Sequence, residues 1–327
     1  MNTPITGIIL KCVGGLYDVQ PDDGSAVLPC RARGAIRHEK RKTLIGDHVR
    51  VTVGADGSCA IEEILPRKNA LIRPPLANLD ILFVAIAAAQ PMPSLTLADK
   101  LISIAEFSKV QPVIVVTKHD LDAQSAAHIA ALYQKVGFPV FVTASVAHRT
   151  EQSRDAETAQ DDGIAALKAW IAQHCFGKIS TVAGVSGAGK STLLNTLFPT
   201  LALETGGLSQ RIERGKNTTR HTELFPLSVL LGCQAPNGEE GYLADTPGFS
   251  LIDFTRFDFY GKEDLPYTFR EFVPYLGKCR YTKCTHTKED GCAILEAVKS
   301  GVIPPERHAS FTEIYRDLKD KHAWDNR

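Results

Sequence analysis

The chain is 327 residues long, more than one ordinary domain needs and enough for two or three. Hydrophobic residues make up 44% and charged ones 23%, which excludes a disordered or fibrous chain. The formal net charge is zero, so no global field draws the protein to nucleic acid, and any such partner must be met by local patches.

The longest apolar run, Ile81 to Ala89, has nine residues. That is about half of what a bilayer crossing needs, so no membrane contact is expected. Met1-Asn2-Thr3-Pro4 carries no basic segment ahead of a long apolar stretch, from which a cytoplasmic, reducing location is expected. Of eight cysteines, Cys279, Cys284 and Cys292 crowd together, while Cys12, Cys30, Cys59, Cys175 and Cys233 are scattered. In a reducing compartment the cluster reads as a metal site and the scattered ones as small buried apolar residues.

In chain order, short strands come first: Gly7 to Val13, Leu16 to Val19, Val27 to Arg31, Asp47 to Val53 and Ala60 to Leu65. Gly14-Gly15, Asp22-Asp23-Gly24, Gly46-Asp47 and Asp56-Gly57 supply the turns between them. So many short strands in so little chain predict a small β-barrel of the OB type. From Asp80 the texture changes to apolar strands alternating with helices: Ile81 to Ala87, a helix Leu95 to Ser108, Val113 to Thr117, a helix through Tyr133, and Val140 to Ser145. Continuous apolar strands with helices between them predict a parallel sheet covered on both faces. Arg149 to Gly163 is polar and predicts an exposed loop between two halves of that sheet. A helix through Ile164, Leu167, Trp170 and Ile171 follows, then strands at Ser180 to Val185, Thr222 to Leu227 and Gly241 to Thr246. Beyond Thr255 the alternation stops, and two helices are expected at Ala293 to Ser300 and Glu306 to Lys321.

Gly184-Val185-Ser186-Gly187-Ala188-Gly189-Lys190-Ser191 fits G-x-x-x-x-G-K-[ST] between a strand and the helical run that opens at Thr192. The glycines let backbone N–H groups wrap phosphates, Lys190 would reach the β and γ phosphates, and the Ser191 hydroxyl would ligate Mg²⁺. Asp245-Thr246-Pro247-Gly248 ends an apolar strand. Asp245 would hold the Mg²⁺ shell there, and the Gly248 N–H could contact the γ-phosphate.

Thr117-Lys118-His119-Asp120 follows another strand and narrows the nucleotide to guanine. The Asp120 carboxylate can accept from guanine N1 and the exocyclic amine, an arrangement adenine cannot offer, while the Lys118 stem can lie over the ring. Thr143-Ala144-Ser145 could add a backbone N–H for guanine O6. The base-reading motif precedes the phosphate loop, the reverse of the usual order, so the domain reads as circularly permuted and rejoined through a surface loop.

Cys279-x4-Cys284-x-His286-x5-Cys292 offers three thiolates and one imidazole, a complete tetrahedral Zn²⁺ set whose closed coordination indicates a structural role. Lys278, Arg280, Lys283 and Lys288 decorate this loop, and Arg31, Arg33, Arg37, His38, Lys40 and Arg41 the barrel. Each patch reads equally as a solvated face or as an RNA contact.

Together these residues resemble the ribosome small subunit-dependent GTPase A family, circularly permuted GTPases with an OB domain in front and a zinc domain behind. The likeness covers nearly the whole chain, including Gly46-Asp47-His48-Val49, Arg67-Lys68-Asn69, Arg73-Pro74, Asn78-Leu79-Asp80 and Gly291-Cys292-Ala293-Ile294. The expected fold class is α/β: an OB-type barrel over 1–67, a circularly permuted P-loop GTPase domain over 68–255 and a mostly helical zinc-binding domain over 256–327. The resemblance implies a cytoplasmic monomer that binds the 30S subunit and its 16S rRNA late in maturation and hydrolyses GTP to GDP there.

Three departures bear on this likeness. Thr117 stands where the family has Asn, and its shorter hydroxyl is expected to tie the motif to the phosphate loop less closely. Asn217, in Arg214 to Arg220, stands where the family has a histidine proposed to be catalytic, with His221 nearby; Thr218 or Thr219 would ligate Mg²⁺. Phe249 stands where many GTPases place a water-orienting Gln, a substitution the family shares. Slow turnover is therefore expected until rRNA orders the segment Leu208 to Thr222. An ATP-dependent phosphotransferase and a non-catalytic GTP-liganded RNA-binding module are the competing readings.

Overall fold

The computed structural model describes residues 5–33, 42–71, 75–144, 162–201, 222–245 and 260–319. It divides into two compact units, Met1–Ile81 with Trp170–Val182 and Gly206–Phe249, and Leu82–Ala169 with Ala183–Thr205 and Ser250–Arg327.

The chain opens with β1 (Ile5–Val13), β2 (Leu16–Pro21), β3 (Leu28–Ala32), β4 (His48–Val53), β5 (Cys59–Ile64) and two short strands, β6 (Ala70–Leu71) and β7 (Leu76–Ala77). Then come β8 (Leu79–Ala87), α1 (Leu95–Phe107), β9 (Gln111–Thr117), α2 (Ala123–Lys135), β10 (Val140–Val142), α3 (Asp162–His174), β11 (Ile179–Gly184) and α4 (Lys190–Leu197). The described chain ends with β12 (Glu223–Pro226), α5 (Leu227–Leu231), β13 (Tyr242–Asp245), α6 (Ala293–Lys299) and α7 (Pro305–Lys319).

In the first unit β1 pairs with β2, β2 with β3, β3 with β5, β5 with β4, and β4 back with β1. The pairings close a ring, which is the expected barrel. Its centre is filled by the inward-facing residues Ile9, Val19, Val49, Val51 and Ile61, all buried. The β1–β2 hairpin turns at Gly14 and Gly15 with φ of 58° and 79°, the pair of positive angles a two-residue hairpin demands.

A polar clamp leads out of the barrel. Buried Asp47 accepts from Arg67 Nε at 2.6 Å, from an Arg67 terminal nitrogen at 2.8 Å and from Leu44 N at 2.8 Å. Asn78 accepts from Lys68 N and donates to Gly46 O, both at 2.8 Å, while the Asn69 amide spans the Leu79 backbone. Each buried polar group is thus answered, as burial requires. The same unit carries β13, parallel to β11, and β12, antiparallel to β13. The sheet is therefore mixed, not wholly parallel, and the strand expected to reach Leu227 stops at Pro226, where α5 begins.

In the second unit the strand order is β10, β9, β8, with β10 parallel to β9. β8 and β9 are buried almost throughout, as strands covered on both faces must be. Ser94 caps α1 through Leu97 N at 3.4 Å, and Asp122 caps α2 through Ser125 N at 2.8 Å. The chain from Tyr260 onward meets α1 where Lys100 Nζ donates to Asp317 at 2.6 Å and the Tyr260 ring lies 5.2 Å from that of Phe107, and its own Phe269, Phe272 and Phe311 rings cluster with centroids 4.9 to 5.4 Å apart. Buried Arg307, on α7, donates to Asp99 of α1 and, at 2.7 Å, to Glu271, while Tyr133 of α2 donates to Asp99 at 2.8 Å.

Among the described residues no helix is long and apolar enough to cross a membrane. Cys30 and Cys175 are buried as expected; Cys12 and Cys59 are only partly covered, and Cys233 is exposed. Arg33 pairs with Glu62 at 2.7 Å, and Arg37, His38, Lys40 and Arg41 lie outside the described residues.

Candidate nucleotide site and metal centre

β11 is buried to its end at Gly184, where a Cβ would lie 2.4 Å from Ala85 O on β8, so only glycine fits. Gly187 and Gly189 turn the loop with φ of 80° and 81°, and Ala188 N donates to Val185 O at 3.1 Å. Gly189 is the N-cap of α4 and supplies no side-chain acceptor to the first-turn N–H groups. Those groups are the donors an anion takes at a helix start. Lys190 reaches back across the loop and donates to Gly184 O at 2.8 Å and Val185 O at 2.9 Å. Burial draws its pKa below the ordinary lysine value, so an incoming anion would relieve an unfavourable charge. Ser186, Gly187 and Ser191 are exposed and Thr192 is half-buried.

Thr117 ends β9, and its hydroxyl donates to Ala188 O at 2.7 Å. The looser tie expected for a short hydroxyl does not occur, and a Cβ on Gly189 would lie in ordinary contact with Thr117 Oγ1, at 3.7 Å. Lys118 adopts φ 59°, a left-handed conformation uncommon for lysine, with its Nζ donating to Gln90 O. A Cβ on Gly189 would also lie 3.8 Å from Lys118 Cε, so the lysine stem flanks the phosphate loop. His119 N donates to Thr143 O at 3.2 Å and Thr143 N to Val116 O at 2.8 Å, which brings Thr143-Ala144 beside the exposed Asp120 turn. No local pattern in the sequence marks the Gln90 or Thr143 carbonyls as partners.

Asp245 is the last residue of β13, in the first unit, where Thr181 Oγ1 donates to Ala244 O at 2.9 Å and joins β13 to β11. Ser145, Asn217, Thr218, Thr219, His221, Gly248 and Phe249 lie outside the described residues.

Cys279, Cys284, His286 and Cys292 bring their ligand atoms within 4.8 Å of one another. Cys279 Sγ and Cys292 Sγ are 3.9 Å apart, and each lies 3.5 Å from His286 Nδ1. A tetrahedral zinc with bonds of ~2.3 Å to sulfur and ~2.0 Å to nitrogen sets edges of about 3.8 Å and about 3.5 Å, so the donor set fits that ion. Burial pushes the Cys284 thiol up to about 12, raises Cys292 and lowers His286, and a bound cation would replace the thiol protons. Glu289 braces the loop, accepting from Thr285 N at 3.0 Å and from Thr287 N and Lys288 N at 3.2 Å. Lys278, Arg280, Lys283 and Lys288 are exposed around it, with the Arg280 guanidinium 5.7 Å from the exposed Tyr281 ring.

A family model described as RsgA GTPase matches residues 64–255, and one described as the RsgA N-terminal domain matches 6–61. The "Small ribosomal subunit biogenesis GTPase RsgA" of Caldanaerobacter subterraneus subsp. tengcongensis is 34% identical, covering 97% of each chain. That of Ruminiclostridium cellulolyticum is 36% identical, over 96% of this chain and 94% of its own. Among solved structures, YloQ, described as a circularly permuted GTPase, aligns with a TM-score of 0.74 at 31% identity over 98% of this chain and 96% of its own. YjeQ from Thermotoga maritima aligns with a TM-score of 0.74 at 27% identity, over 98% and 100%. The permuted fold read from the motif order is the fold of these neighbours.

Proposed function

The chain belongs to the RsgA GTPase family, and from that premise we propose that it hydrolyses GTP to GDP during biogenesis of the small ribosomal subunit, late in 30S maturation. The bond from Thr117 Oγ1 to Ala188 O supports the reading, because it ties the turn we assign to guanine to the loop we assign to the phosphates. Thr117, Lys118, His119 and Asp120 would form one wall of the base site, and the backbone at Ala144 and Ser145 would face guanine O6. Gly184, Val185, Ser186, Gly187, Ala188, Gly189 and Thr192 would line the phosphates. Lys190 would neutralise charge on the β and γ phosphates as the bond from phosphorus to the bridging oxygen breaks and water's oxygen bonds in line.

Ser191, with Thr218 or Thr219, would hold Mg²⁺, with Asp245 in its outer shell and the Gly248 N–H at the γ-phosphate. The bound ion supplies charge neutralisation on the β and γ oxygens. Cys279, Cys284, His286 and Cys292 would hold one structural Zn²⁺, and the exposed cations around that loop, with the barrel, would meet 16S rRNA. The protein is proposed to act in the cytoplasm as a monomer, with domains at 1–67, 68–255 and 256–327. Ordering of 208–222 on the subunit is proposed to accelerate hydrolysis. Single-turnover GTPase rates with and without 30S subunits test this; equal rates sink the activation claim, and no hydrolysis in either case would leave GTP as a structural ligand.

A further inference from the structure

We propose that Thr117 is a positioning residue whose only hydroxyl proton is committed to the phosphate loop, so that bound guanine is read without a hydrogen bond to its N7. The inference rests on the assignment of Thr117 to Asp120 as the base-reading turn.

A threonine hydroxyl has one donor hydrogen. Its Oγ1 lies 2.7 Å from Ala188 O and 3.5 Å from Ile86 O, both carbonyl acceptors, in a side chain that is 4% exposed. The proton is therefore held by the loop, and what Oγ1 can still offer is lone pairs. Purine N7 is itself an acceptor, so lone pairs cannot pair with it.

Neighbouring donors of the turn are engaged in the same way. His119 N, with its one hydrogen, donates to Thr143 O at 3.2 Å, and Leu121 N, with its one, to Lys118 O at 3.0 Å. An asparagine at 117 would differ in kind. Its amide has two N–H donors, one for the loop carbonyl and one for the imidazole edge of the base. The substitution thus divides two jobs: Thr117 keeps the turn in register with the loop, and discrimination falls to the Asp120 carboxylate on the Watson–Crick edge.

The test measures affinities of the full chain for GDP, 7-deaza-GDP and ADP, 7-deaza-GDP carrying C–H in place of N7. Wild type and Thr117→Ser should bind the two guanine nucleotides within about 3-fold of each other. Thr117→Val, isosteric but without the hydroxyl, should weaken both by about 3- to 10-fold and leave their ratio unchanged. Thr117→Asn should open the ratio to about 10-fold in favour of GDP. A wild-type preference of about 10-fold or more for GDP over the 7-deaza analogue would overturn the proposal. So would a Thr117→Asn ratio that stays near one. If Thr117→Val does not fold, the wild-type, Ser and Asn ratios decide. ADP competing as well as GDP would instead overturn the assignment of the turn, and this inference with it.

Discussion

Arg307 and Asp99 stand 208 positions apart in the sequence and meet inside the protein, each side chain 1% exposed. Glu271 takes the other edge of the same guanidinium, and Tyr133 donates to Asp99. Two buried carboxylates and one arginine leave a net negative site if the cation is removed. Arg307→Met should therefore cost about 3–5 kcal/mol of stability, the usual result of stranding a buried charge. Urea denaturation followed by tryptophan fluorescence would measure it, and a loss under about 1 kcal/mol would show that the carboxylates simply take up protons.

Asp120→Asn exchanges an acceptor-only carboxylate for an amide. Affinity for GTP should fall by a factor of about 100 or more, because guanine N1–H and the exocyclic amine lose their acceptor. Xanthine has a carbonyl where guanine has that amine, so the variant should gain affinity for XTP. Competition binding decides it, and an unchanged preference for GTP would remove Asp120 from the base site.

Cys284→Ser leaves one hard oxygen donor among soft ones. Zinc recovered with the purified protein should drop well below one equivalent, and the loop from Cys279 to Cys292 should become accessible to protease. Because the aromatic cluster of Phe269, Phe272 and Phe311 holds the flanking chain, α7 should stay folded; collapse of the whole chain on chelation would assign the metal a larger share of stability.

Burial pushes the Cys175 thiol from an ordinary 9.0 up to about 12. Between those values the unfolded chain has released the proton and the native one retains it, so the native state binds more protons and stability falls as pH rises. The Cys175 contribution to stability should thus be intact up to about pH 9 and be lost from there toward pH 12. In Cys175→Ala the decline of the denaturation midpoint over that range should be shallower; an identical slope would place the alkaline sensitivity elsewhere.

Legibility in the sequence tracked the range of the interaction. The phosphate loop and the Cys279 to Cys292 set are local patterns whose chemistry is complete within a few residues, and so are the hairpin glycines at Gly14 and Gly15. Strand ends were readable to within two residues or so where apolar runs met Gly or Asp, but α5 was not, since Leu227 to Leu231 is as apolar as the strand before it. The clamp of Asp47, Arg67 and Asn78 could not be found by spacing. Gly46-Asp47, Arg67-Lys68-Asn69 and Asn78-Leu79-Asp80 were visible only as three separate motifs, and their reason for being there is that they bond to one another. The same holds for Thr117 and Ala188, whose bond depends on how closely two backbones pass.

The closed ring of barrel pairings also orders events during synthesis. All five strands, β1 to β5, have left the ribosome once Ile64 is clear, so the barrel can complete its hydrogen bonds while most of the chain is still unmade. β8 follows at once, but its neighbour β11 begins only at Ile179, roughly 5 to 20 s later at bacterial elongation rates. In that interval an apolar strand follows a finished domain with one flank waiting. The permuted gene order thus gives the nascent chain a folded, capped leading end, and a period of exposure that chaperones would have to cover.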